Sequence, residues 1–203
     1  MKTCRLLFND EMARAIVQGR KTVTRRPCRD QYPGNDSRYV KGLLRLHVPC
    51  APGDLMIGRE CWAHLSQHPE SEFNTAIPMG GNLEYRADHD PPRRKPGGWS
   101  DAEPGDPEIV NWRPSIHMPD WAARIRRKVV AVSVERLQDI TEDDAVREGF
   151  DPHDLDTGPR ESDDAPATGE FIEAWDSIYA PRGFGWGVSP WVWRIEFERE
   201  SEP

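Results

Sequence analysis

Gly19-Arg20-Lys21-Thr22-Val23-Thr24-Arg25-Arg26 sets one amine, two hydroxyls and several guanidiniums side by side where a helical periodicity ends. The glycine can close that helix in a left-handed conformation, so the polar groups fall in a turn and at the start of a strand. Lys21 and Thr24 are the pair able to do covalent chemistry. A hydroxyl becomes a useful nucleophile only when a base takes its proton, and a neutral lysine is such a base. The ordinary lysine pKa is about 10.4. A site that uses Lys21 in this way has to desolvate it or surround it with positive charge, which the flanking arginines can supply. The competing reading is a solvated basic turn after a helix.

Upstream, Cys4 to Phe8 reads as a strand. Asn9 or Asp10 then caps a helix running to about Gln18, with Met12, Ile16 and Ala15 as its apolar stripe. Downstream, Val23 starts a second strand that Pro27 stops or confines to an edge. Leu43 to Val48 suits a strand or hairpin arm. Pro52-Gly53-Asp54 is a turn leading into a strand over Leu55 to Trp62, which ends in the carboxylate of Glu60 and an indole. The stretch from about 63 to 110 has little periodicity and reads as an inserted loop, with a short strand at Leu83 to Arg86. Asn111 to Pro119 holds Trp112, Arg113 and His117 between prolines, either as a stacking face and donors for a planar ligand or as a rigid loop with Trp112 buried.

Lys128 to Leu137 alternates as a strand, with Val130, Val132 and Val134 expected on one face. Thr141 caps a short helix with acids in its first turn, and Gly149 ends it. Glu148 lies at the last helical position, where a carboxylate opposes the macrodipole and needs solvent or a cation such as Lys21. An acidic loop follows from 151 to 169. Phe171, Ala174, Trp175 and Ile178 have helical spacing up to Pro181, and Trp191 to Phe197 closes the chain as an alternating strand.

The chain has 203 residues and a net charge of −8, with 31% charged and 36% hydrophobic residues. That suits one domain with a large insertion, and it argues against a broad polyanion-binding surface while leaving room for a local basic pocket. No apolar run reaches the roughly 18 residues of a membrane span, and no signal-peptide core is visible, so a cytoplasmic protein is expected. Cys4, Cys28, Cys50 and Cys61 are widely spaced without a C-x-x-C, so reduced thiols are expected rather than a metal site.

Taken together, these segments resemble the ASCH domain, a PUA-like β-barrel family. The resemblance is carried by the helix followed by Gly19 to Arg25, the Pro52-Gly53-Asp54 turn and the valine-rich strand followed by Leu137-Gln138-Asp139-Ile140-Thr141-Glu142. The terminal Trp191 to Phe197 strand belongs to it as well. Trp112 to Met118, Trp175-Asp176-Ser177-Ile178 and Gly185-Trp186 are similar to its larger, phage-associated branch. The resemblance covers the first 62 residues and most of 111 to 198, and leaves 63 to 110 unexplained. It implies an α+β fold, a small mixed β-barrel with flanking helices and a long loop insertion.

That family includes amidohydrolases that remove the acyl group from N4-acetylcytidine with a lysine, a threonine and a glutamate. The resemblance carries these onto Lys21, Thr24 and Glu148, and implies hydrolysis of an amide with no metal or other cofactor. Either Lys21 activates Thr24, or it activates water while Thr24 positions the substrate. Glu148 either holds Lys21 or protonates the cytosine ring. Arg26 is a candidate for stabilising the oxyanion, Trp62 and Trp112 for stacking on the base, and Glu60 and His117 for reading its edge. The expected partner is a nucleoside or short RNA, and the expected state a monomer. The rival from the same fold is an RNA-binding or RNA-cleaving module, with Arg20, Arg25, Arg26, Arg29 and the clusters at 93–95 and 124–128 tracking phosphates. A third is an interaction protein without catalysis.

Overall fold

A computed structural model of the chain describes residues 1–31, 42, 48–64, 83–89, 112–150 and 166–198. All but the last residue of the strand expected over 43–48, most of the 63–110 insertion, the 93–95 cluster and most of the acidic loop lie outside the described residues.

The fold is mixed α+β. Strands β1 (Thr3–Leu7), β2 (Val23–Pro27), β3 (Leu55–Arg59), β6 (Ile125–Arg136) and β7 (Trp191–Phe197) form a mostly antiparallel sheet in the order β1-β3-β6-β7-β2, and β4 (Trp62–His64) pairs with β5 (Leu83–Tyr85). The α-helices described with them are α1 (Asp10–Val17), α2 (Glu142–Arg147) and α3 (Ala167–Tyr179). Among the described residues no closed barrel is detected, and no helix is long and apolar enough to cross a membrane.

Local chemistry explains most of the boundaries. Asn9 caps α1, its side-chain oxygen accepting from the Met12 amide at 2.9 Å, and Gly19 leaves the helix at φ 72°. Thr141 caps α2 through the Asp144 amide, and Gly149 ends it at φ 100°. The start of α3 is capped from a distance. The Glu142 carboxylate accepts from the amides of Ala167 and Thr168, at 2.5 and 3.1 Å, and from the Thr168 hydroxyl. Pro27 falls at the end of β2, which stands last in the strand order, where a missing amide costs no ladder bond.

The pairing of β6 with β7 corrects the expected face of the valines. A bulge between Val129 and Ala131 inserts one residue, so Val129, Val132 and Val134 share a face, opposite Phe197, Ile195 and Trp193. Val130 is exposed instead.

The chain groups into two compact units. One comprises Met1–Cys4, Gln18–Met56 and Arg127–Pro203, and the other Arg5–Val17 and Ile57–Arg126. In the first, Leu137, Ile140, Ala145, Phe171, Trp175 and Val192 form a buried cluster. The Trp175 indole donates to the Phe184 carbonyl at 2.7 Å, and the Asp176 carboxylate accepts from the Trp186 amide at 2.6 Å. These two bonds fasten the Trp175-Asp176 pair of α3 to the turn at 184–186. In the second unit, Arg14 donates to the carbonyls of Ala87 and His89, and Arg86 pairs with Asp10 at 2.7 Å, fastening α1.

The cysteines depart from expectation. Cys4 and Cys50 are joined in a disulfide across 46 residues of sequence, with Cα atoms 5.7 Å apart, while Cys28 and Cys61 are free thiols. Their spacing carries no signature, because only the folded pairing of chain segments brings them together.

Candidate active site

The backbone on the C-terminal side of Lys21 is pinned. The Thr22 amide donates to the Arg147 carbonyl at 2.9 Å, and the Thr22 carbonyl accepts from the Phe197 amide at 3.0 Å. Lys21 therefore meets the C-terminal end of α2. Its Nζ donates to the Glu148 carbonyl at 2.7 Å and to the Glu148 carboxylate Oε2. A cation on the last carbonyls of a helix is favoured by the macrodipole, and here it also serves the helix's terminal carboxylate. Both residues are buried, at 3% exposure each. The basic turn and the terminal glutamate are thus not solvated charges but a buried ion pair between positions 127 residues apart.

Burial lowers the Lys21 pKa from its ordinary value to about 8. Glu148 opposes that shift, and the positive charges of Arg26 and Arg25 reinforce it. About a tenth of the amine is then neutral at pH 7.

Thr24 is fully buried, and its hydroxyl has no hydrogen-bond partner among the described residues. A buried polar atom left unpaired costs about 1–3 kcal/mol. Thr24 stands opposite Ile195 in the β2–β7 ladder and Arg26 opposite Trp193, so alternation places Thr24 and Arg26 on one face of β2. Arg26 Nη1 lies 3.4 Å from the Tyr179 hydroxyl. No hydrogen bond joins Lys21 to Thr24: the lysine is engaged with Glu148.

Arg25, on the other face of the strand, is 1% exposed and surrounded by carboxylates. Its Nε donates to Glu135 at 2.8 Å, its Nη2 to Asp144 at 2.8 Å and its Nη1 to Glu148 Oε1 at 3.2 Å. Glu148 is therefore shared between two cations. Arg194, directly opposite Arg25 in the ladder, donates to the other oxygen of Asp144 at 2.8 Å and pairs with Glu196, which also receives Arg147 at 2.9 Å. Burial pushes the Glu135 pKa up against the pull of Arg25. Burial would raise Asp144 as well, but Arg194 and Arg25 together outweigh it and hold that carboxyl below its ordinary value.

The remaining sequence candidates belong to the second unit. Glu60 is fully buried, and both its carboxylate oxygens accept from Arg124, at 2.9 and 3.0 Å. Burial raises its pKa while Arg124 opposes the shift. Arg124 also stacks over Tyr85, 4.0 Å from the ring centre. Trp62 is buried, with Arg113 over its ring at 5.2 Å, the edge of Trp121 at 6.0 Å and an indole N–H that has no partner among the described residues. A two-way backbone bridge joins Trp62 to Arg113. Trp112 is half-buried, 6.1 Å from the ring of His89, and His117 is exposed on a short 3-10 turn.

Sequence reading did not single out Arg25, Glu135, Asp144 and Arg194 as one network. The available signal was the alternation of β7, which puts Arg194 and Glu196 on a single face, but the partners on that face come from the register with β2 and β6. Among the described residues no three acidic, histidine or cysteine side chains cluster in a way that could hold a metal ion. Compared with protein families, with curated proteins and with solved structures, the chain shows no match to any of them.

Proposed function

We propose that the chain is an ASCH-type amidohydrolase with a PUA-like barrel, acting on N4-acylcytosine nucleosides to give cytidine and a carboxylic acid. The observation that carries the reading is the buried Lys21, held by Glu148 and lowered to about pKa 8. A group with a pKa near the working pH can both take and return a proton.

In this scheme neutral Lys21 removes the Thr24 proton, and the Thr24 oxygen attacks the acyl carbonyl. The tetrahedral intermediate collapses as Lys21 returns the proton to the departing cytosine amine. Water, deprotonated by Lys21, then attacks the threonine ester, releasing the carboxylic acid and the Thr24 hydroxyl. The unpartnered Thr24 oxygen and the presence of Arg26 on the same strand face support this assignment, with Arg26 set to stabilise the oxyanion. Glu148, bound at one oxygen by Lys21 and at the other by Arg25, suits the role of positioning Lys21. For Thr24 to serve as nucleophile, the neutral Lys21 amine, with two N–H donors on Glu148, has to turn its lone pair toward the hydroxyl.

The test is the ultraviolet absorbance of N4-acetylcytidine incubated with the protein, beside Lys21→Ala and Thr24→Ala. Loss of the acylcytosine band with wild type, abolished in both variants, is the expected result. Activity retained by Thr24→Ala would make water the nucleophile. An unchanged band across several N4-acyl substrates overturns the hydrolase reading.

A further inference from the structure

We propose that Arg25 is a positioning residue for this site. Its guanidinium, tied at once to Glu135, Asp144 and Glu148, holds the Glu148 carboxylate in place whether or not Lys21 carries its proton. The proposal rests on the reading of the site given above, but its decisive measurement does not require turnover.

A buried lysine–glutamate pair standing alone resists proton loss, because the neutral amine would leave behind a buried carboxylate with no counter-charge. Here the carboxylate has a second cation. Lys21 binds Oε2 and Arg25 binds Oε1, so Glu148 stays compensated and hydrogen-bonded when the amine is neutral. Arg25 suits this role because a guanidinium does not titrate in proteins and presents donors in a rigid fork. The fork is fixed from three sides: by Glu135 on β6, by Asp144 on α2 and by Glu148 itself. Asp144 is in turn held by Arg194 from β7. Arg26 adds positive charge near the amine, whereas Glu196 is already occupied by Arg147 and Arg194. Thr24 and Arg25 are neighbours in a strand and point to opposite faces, so Arg25 acts through Glu148 rather than on a substrate at Thr24.

The experiment is a pH titration of the lysine side chains by nuclear magnetic resonance with ¹³Cε-labelled lysine. The chain contains Lys2, Lys21, Lys41, Lys95 and Lys128, and Lys21→Met identifies the signal of interest. In Arg25→Gln the Lys21 midpoint is expected to rise by about one pH unit or more, about tenfold in proton affinity, because Glu148 then serves the amine alone. Arg25→Lys, which keeps a cation but cannot reach three carboxylates, should fall in between. In turnover of N4-acetylcytidine, kcat should drop more than KM rises, and the acidic limb of the pH profile should move with the Lys21 midpoint. A Lys21 midpoint in folded Arg25→Gln that matches wild type overturns the proposal. If Arg25→Gln does not fold, an unmoved midpoint in Arg25→Lys does so. Absence of turnover in the wild type would sink the hydrolase reading, while the titration would still judge Arg25.

Discussion

Replacing Lys21 by methionine should change how stability depends on pH, in a direction set by the burial of the amine. In the unfolded chain Lys21 titrates near its ordinary 10.5; in the folded protein burial brings it to about 8. Below pH 8 the amine is charged in both states, and the folded state bears the full cost of the buried cation. Between about pH 8 and 10.5 the native state has released the proton while the unfolded state still binds it, so stability rises with pH. The drop from 10.5 to about 8 corresponds to about 3 kcal/mol. Because both groups are nearly inaccessible to water, solvent screening takes little from that figure. The assay is urea denaturation of wild type and Lys21→Met at intervals from pH 7 to 10.5. Subtracting the two curves removes every group they share, including Cys28, whose thiol burial pushes up to about 12. Wild type should gain about 3 kcal/mol on the variant across this range. A flat difference, or one that falls as pH rises, would refute the reasoning and with it the idea that Lys21 is available as a base near neutrality.

Three further outcomes can be checked directly. A Cβ at Gly58 would stand 2.6 Å from the Ile125 Cγ2 and 2.9 Å from its Cβ, so Gly58→Ala should cost about 1–3 kcal/mol by overpacking, read as a lowered denaturation midpoint. Quantifying thiols in the denatured, unreduced protein should find two free groups, Cys28 and Cys61, and reducing the Cys4–Cys50 bond should lower stability by about 4 kcal/mol for a loop of this length. Four free thiols in protein kept from reductant would contradict the pairing.

Much of the framework was legible because its signals are local. The Asn9 and Thr141 caps, the left-handed exits at Gly19 and Gly149 and the alternation of β7 each lie within a few residues of the feature they specify. Glu148 was half legible: a carboxylate at a helix C-terminus demands a cation, but which cation is decided by folding across 127 residues. The role of Arg25 was hidden. Two adjacent arginines at a strand end read as solvated charge, and only the ladder reveals that Arg25 faces Arg194, a like-charged pair made tolerable by carboxylates shared between them. The disulfide was hidden for the same reason, since no periodicity links Cys4 to Cys50.

The bulge in β6 also bears on how this chain can change length over evolutionary time. It places Val129 in step with Val132 and Val134, although an unbroken alternation would have set it against them. Deleting Val130, the exposed extra residue, would close the bulge and leave Val129, Val132 and Val134 on one face in an unbroken alternation, whereas deleting a residue elsewhere in the strand would turn the segment on one side of the cut inside out. Single-residue gains and losses between Ile125 and Arg136 should therefore be purged except at the bulge, and a tolerated change elsewhere in the strand should come as a pair of residues or with a second compensating shift.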